Sequence, residues 1–202
     1  MRREVDLYLG YSESDSFNRL IDLNKKNMEA TIEKKFSLEE PLDKVWVALS
    51  NPMHISGCVP GASITEKIDE NNYKGEVSLK FGPIKSNYDG QIIIEEMDHD
   101  NHKMKLVGKG LDSKGKGSAE MTMNGSVVAV GSGSEVDFKM VINIQGTLAQ
   151  FGSRLINDVS EQLMNQFIAN FKSMLAGEEF DSSLKAGSMM GSMIKGIFKK
   201  KD

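Results

Sequence analysis

The chain has 202 residues, 39% of them hydrophobic and 27% charged, with a formal net charge of −4. That size and balance fit one soluble domain with appendages, and the slight acidity excludes a global nucleic-acid-binding field. A single cysteine rules out an intrachain disulfide framework and fits a reducing, cytoplasmic setting; there is no apolar run of about 18 residues for a transmembrane helix, and no signal-peptide pattern at the N-terminus.

Residues 1–27 are polar and irregular and read as an N-terminal extension. One short helix is predicted within it, capped by Ser14 or Asp15, with Phe17, Leu20 and Ile21 on one face. Met28 opens a strand in which Ala30, Ile32 and Phe36 alternate with polar residues. Pro41 suits a first helical turn, and Leu42, Val45, Trp46 and Leu49 follow at helical spacing. Asn51-Pro52 ends that helix, because the residue before proline resists the helical conformation. A second short helix or turn, Met53 to Cys58, precedes the turn signal Pro60-Gly61.

From Ala62 to Gly146 the chain reads as six strands, near 62–69, 73–82, 85–97, 103–111, 116–129 and 134–145. The breaks "DENN", "GP", "HDNH", "DSKG" and "GSGS" carry turn chemistry, so neighbours are antiparallel. Val77, Leu79 and Phe81 share a face, as do Ile92, Ile94 and, by strict alternation, Glu96. Val136, Phe138, Met140, Ile142 and Ile144 share another. From Thr147 to about Leu175 the period changes to that of one long amphipathic helix, roughly 40 Å in length, with Gly177 as its stop. The expected class is α+β: a curved seven-stranded antiparallel sheet wrapped around a long C-terminal helix, with two short helices after the first strand. A curled sheet cannot close on a straight helix everywhere, so a space is expected between them, and that space is the candidate binding site.

The residues with reactive side chains give weaker signals. His54 and Cys58 lack the further ligands of a zinc site and any visible pKa-lowering partner, so Cys58 reads as a buried structural thiol. His99 and His102 read as a solvated hairpin tip. "GLDSKGKGS", Gly110 to Ser118, approaches a phosphate-loop pattern, but a strand rather than a helix follows, and it reads as a hairpin turn. Glu39-Glu40, Glu95-Glu96 and Glu178-Glu179 read as solvated, Glu95 or Glu96 being the one that an inward-facing register would bury. No catalytic or metal set is assigned. The C-terminal segment is basic and amphipathic: Met190, Met193, Ile194, Ile197 and Phe198 line one helical side, with Lys195, Lys199, Lys200 and Lys201 beside them. It reads as an anchor for an anionic membrane surface, with a partner protein or plain disorder as the alternatives.

Asn51-Pro52, Cys58, Pro60-Gly61, "YKGEVSLKFG" from Tyr73 to Gly82, Asp89-Gly90, the glycines of "GKGLDSKGKG" and "GSGSEV" occur in an order that resembles the CoxG family, named after carbon monoxide dehydrogenase. The resemblance spans about residues 28–176 and implies the helix-grip fold of START-like and polyketide cyclase domains. Domains would then be 1–27, 28–176 and a linker plus tail at 177–202. The resemblance also implies a non-catalytic accessory protein that recruits a molybdenum-containing dehydrogenase or hydroxylase to the cytoplasmic membrane. Many relatives lie beside hydroxylases other than carbon monoxide dehydrogenase, and residues 1–27 depart from the family pattern. No cofactor is required by this reading. The cavity is expected to take an elongated hydrophobic ligand, a quinone being the sensible candidate because an oxidoreductase must pass its electrons on. Expected wall residues are Trp46, Met53, Ile55, Val59, Phe81, Tyr88, Met121, Met123, Phe151, Leu155 and Val159, each equally explained as core. The alternatives are an assembly factor without a ligand and a cyclase-like enzyme.

Overall fold

A computed structural model describes residues 27–81 and 84–180. The predicted helix near Ser14 and the tail segment from Met190 to Lys201 lie outside the described residues. The seven strands are β1 (Asn27–Leu38), β2 (Ala62–Lys67), β3 (Asn72–Phe81), β4 (Ile84–Asp98), β5 (Lys103–Asp112), β6 (Gly117–Val130) and β7 (Gly133–Gly146). They form one antiparallel sheet in the order β1-β7-β6-β5-β4-β3-β2. Short hairpins make the meander from β2 to β7, and β1 closes the far edge against β7. The class and strand count expected from the sequence are those observed.

Between β1 and β2 lie helices α1 (Leu42–Leu49) and α2 (Pro52–Ser56). Asn51 does more than end α1. Its side-chain oxygen accepts from the N–H groups of Met53 at 3.1 Å and His54 at 3.4 Å, and Pro52 takes the first helical position, so the same dipeptide starts α2. The C-terminal helical run is divided. A 3₁₀ turn, Leu148–Phe151, leads into α3 (Gly152–Ala176), and Gly152 at φ 81° turns the chain between them. Only glycine takes that angle cheaply, so the continuous helix expected from Thr147 is interrupted here. Gly177 closes α3 in the left-handed conformation, its N–H bonding to Met174 and that of Glu178 to Ser173.

One sheet face is charged and the other apolar. On the convex face, Lys35 meets Glu135, Lys139 meets Glu33, Lys109 meets Glu120, Lys105 meets Glu95 and Lys74 meets Glu66, at 2.7 to 3.4 Å. These pairs are exposed and each contributes at most about 1 kcal/mol, so they mark the solvent face more than they stabilise it. A bulge between Ile94 and Glu96 shifts the β4 register against β5. Glu95 and Glu96 both stay exposed as a result, and Met97 instead of Glu96 continues the apolar side. Simple alternation therefore misplaces Glu96.

The concave face is filled by two separate clusters. The larger gathers Leu38, Val45, Trp46, Cys58, Val127, Val136, Phe138 and the C-terminal half of α3, including Phe171 and Leu175. The smaller gathers Ala30, Tyr88, Ile144, Leu148, Ala149 and the N-terminal part of α3, Ile156 and Val159. β4 and β5 approach closely at Gly90, where an added Cβ would stand 2.4 Å from the Lys109 carbonyl oxygen. Backbone approach that close is open only to glycine.

Candidate functional site

The candidate site is the part of the concave sheet face that neither cluster covers. Ile64, Val77, Ile92 and Met121 point to the concave side on β2, β3, β4 and β6. All four are half-buried, and none belongs to either cluster. On α3, Leu163 and Phe167 are also half-buried, each packed against one of the clusters. Phe167 is held by stacking on Phe171, with ring centroids 5.9 Å apart. Apolar side chains that face inward but keep contact with water are what the wall of an apolar cleft requires. Glycine shapes its floor: a Cβ on Gly108 would come within 3.1 Å of the Met121 methyl, so Met121 lies over β5 in the space this residue leaves.

One side of the cleft is fixed by the turn after α2. Cys58 is fully buried there, with its sulfur 3.5 Å from that of Met174. Asn170, itself buried on α3, donates from Nδ2 to the Cys58 carbonyl at 3.1 Å. This bond ties the turn to the helix and satisfies two buried polar groups at once. Burial pushes the Cys58 thiol up to about 11, so little thiolate exists near neutrality. The sequence reading of a structural thiol fits this environment. Iodoacetamide at pH 8 is expected to leave native Cys58 unmodified and to alkylate it fully in denaturant; rapid native alkylation would contradict the packing.

A polar group forms at the smaller cluster's end. Tyr88 and Asp112 are direct cross-strand partners, both buried, and the Ser86 hydroxyl donates to Asp112 Oδ2 at 3.2 Å. Burial by itself raises the Asp112 carboxyl. The N–H groups of Lys114 and Lys116, at 2.9 and 3.2 Å from Oδ1, the Ser86 hydroxyl and the Lys116 charge outweigh it and hold the group below the usual carboxylate range. The amides that would cradle a phosphate in "GLDSKGKGS" thus already hold a carboxylate from the same turn, in agreement with the hairpin reading. Burial, with the nearby Asp112 charge, raises the Tyr88 phenol, and its contact with Ser86 partly offsets this. Because Asp112 is depressed in the folded state, its stabilising contribution is complete above the unfolded value near 3.9 and is lost as pH falls through the folded one. Asp112→Asn is expected to flatten the stability profile below about pH 5 in urea titrations; an unchanged acid limb would exclude this role.

The residues expected from the sequence distribute unevenly. Met121 and Met123 are successive inward positions on β6, and Ile55 of α2 packs on the larger cluster nearby. Tyr88, Leu155 and Val159 meet in the smaller cluster. Met53, Val59 and Phe151 are exposed, at 52%, 37% and 42%. Phe81 ends β3. Trp46 is 4% exposed and belongs to the larger cluster. Its indole N–H donates to His99 Nδ1 at 3.0 Å, and both His99 and His102 meet its ring edge-on. The histidine pair does form a hairpin tip, and it also latches that tip onto α1. The wall residues expected from the sequence did not include Val77, Ile92, Leu163 or Phe167, and Asn170 was not singled out at all. The first four were legible as inward or helical-stripe positions; a lone polar Asn170 carries no such signal.

A curled antiparallel sheet gripping one long helix over an apolar cleft is the helix-grip architecture. The sequence pattern of the carbon monoxide dehydrogenase CoxG family matches residues 35–176, and the chain belongs to that family. No curated protein sequence is significantly similar to it. A conserved protein from Geobacillus kaustophilus is similar in structure, with a TM-score of 0.62, 22% identity, and coverage of 75% of this chain and 95% of that one. A Rhizobium leguminosarum protein gives 0.55 at 12% identity, covering 76% and 99%. The Zhui aromatase/cyclase from Streptomyces sp. R1128 gives 0.52 at 8% identity, covering 74% and 94%. At these identities the likenesses establish the shared fold.

Proposed function

We propose that this chain is a non-catalytic accessory protein of a molybdenum-containing dehydrogenase, and that its cleft carries an elongated hydrophobic molecule of the quinone type. The observation that carries the reading is that Ile64, Val77, Ile92 and Met121 face the concave side half-buried and belong to neither core cluster, which is the lining an apolar cleft would need. Family membership supports the choice of partner. The ionisable groups nearest the cleft favour carriage over catalysis. Cys58 and Tyr88 are raised and Asp112 is lowered, so each moves away from neutrality, where acid–base work needs its pKa. Among the described residues no group of His, Cys, Asp and Glu could hold a metal, and no helix is long and apolar enough to cross a membrane. The basic tail would supply membrane contact.

Native mass spectrometry of gently purified protein tests the cleft. A lipophilic adduct is expected on the native chain, and Met121→Trp, which fills the cleft, is expected to remove it. A consistently empty protein that still captures the dehydrogenase in pull-downs would favour an assembly factor instead. Flotation on anionic liposomes with and without residues 183–202 tests the tail, and equal flotation would remove its anchoring role.

A further inference from the structure

Most exposed lysines on the convex sheet face have an acidic cross-strand partner, but two do not. Lys80 and Lys85 stand directly opposite each other on β3 and β4, both exposed, and neither has an ion-pair partner among the described residues. Like charges placed opposite each other destabilise a ladder, so an anion brought up to this face would relieve their repulsion. The β5–β6 turn sits beside them: the Ser113 N–H and hydroxyl both bond to the Asn87 carbonyl, two residues from Lys85. That turn adds exposed Lys114 and Lys116. The local acids are engaged, since Asp112 is buried and holds the turn's N–H groups, and Asp89 accepts from Ser113. Two large apolar side chains accompany the lysines. Leu111 is 68% exposed just before the turn, and Phe151 is 42% exposed as the last residue of the 3₁₀ turn, whose entry residue Thr147 donates its N–H to the Lys116 carbonyl.

From this we infer that the end of the sheet bearing Lys80, Lys85, Lys114 and Lys116, with Leu111 and Phe151, docks on an anionic lipid surface. The combination is what a bilayer interface recognises: cations for the lipid headgroups and isolated apolar side chains for the acyl boundary. The same end carries Tyr88 and the N-terminal part of α3, so docking there would turn the smaller-cluster end of the cleft toward the bilayer. The inference rests on the proposed lipophilic cargo and adds a folded-domain contact to that of the tail.

The full chain tests it. Leu111→Cys, labelled with an environment-sensitive dye, is compared with Val130→Cys at the opposite end of the sheet, native Cys58 being buried and unreactive. With phosphatidylglycerol vesicles the label at 111 is expected to shift to the blue and that at 130 to stay unchanged. Lys80→Glu/Lys85→Glu is expected to weaken vesicle binding at least tenfold, each lysine counting for about fivefold near an anionic surface. A label that stays in water at 111 while the tail still floats the protein would overturn the docking face and leave the tail's role intact. Absence of any vesicle binding would overturn both. Loss of dehydrogenase capture with vesicle binding unchanged in the double variant would assign the patch to a protein partner and overturn the inference.

Discussion

Phe171→Ala is expected to destabilise the domain by about 3–5 kcal/mol, and to lower its melting temperature by on the order of 10 °C. Phe171 has no exposed surface, stacks on Phe167, and sits where α3 crosses the larger cluster. Removing the ring leaves a cavity that the sheet on one side and the Cys58 turn on the other cannot collapse to fill. The turn is held by Asn170, one residue away, so it cannot follow the lost volume without giving up a buried hydrogen bond. A loss comparable to most of a small domain's net stability is therefore expected from one side chain. Thermal and urea unfolding followed by far-ultraviolet circular dichroism measure it, and a change under 1 kcal/mol would mean that the cluster is looser than its burial indicates.

Trp46→Ala is expected to cost a similar amount, about 3–5 kcal/mol, and to leave cargo binding by the folded fraction unaltered. Trp46 links three elements: α1 carries it, the larger cluster buries it, and the β4–β5 hairpin tip receives its N–H through His99. The Nδ1 lone pair of His99 is the acceptor of this bond. The components separate cleanly. Trp46→Phe keeps a ring and removes the donor, while His99→Ala removes the acceptor and should cost about 1 kcal/mol. Trp46 is the only tryptophan, so its emission reports the hairpin latch directly in the His99 variant. A stable Trp46→Ala protein that had lost its lipophilic adduct would place this side chain in the cleft wall instead.

Membership in the CoxG family, together with the accessory role proposed above, directs attention to the uncovered apolar part of the concave face. The polar residues are then framework. Asn51 caps α2, Asn170 secures the Cys58 turn, and Asp112 organises the β5–β6 turn. Each satisfies buried or terminal backbone groups that would otherwise be unpaired. The proposed binding surface is made of ordinary Val, Ile, Leu, Met and Phe, and no spacing marks these out from core.

Local sequence determined most of the architecture. Alternation of apolar residues set the strands, because a strand with one buried face must repeat every second residue. Turn residues set the hairpins, and a helical stripe with Gly177 behind it set α3 and its end. Two departures came from backbone geometry: the bulge at Glu95 and the break at Gly152, each a one-residue event that averaging over a window conceals. Only the tertiary structure decided which inward-facing residues are packed and which line the cleft. Val136 and Val77 look alike in their strands, yet one is buried in the larger cluster and the other stays half-buried outside both clusters. The difference depends on where a straight helix meets a curved sheet, and that distance is set by contacts between residues far apart in the chain.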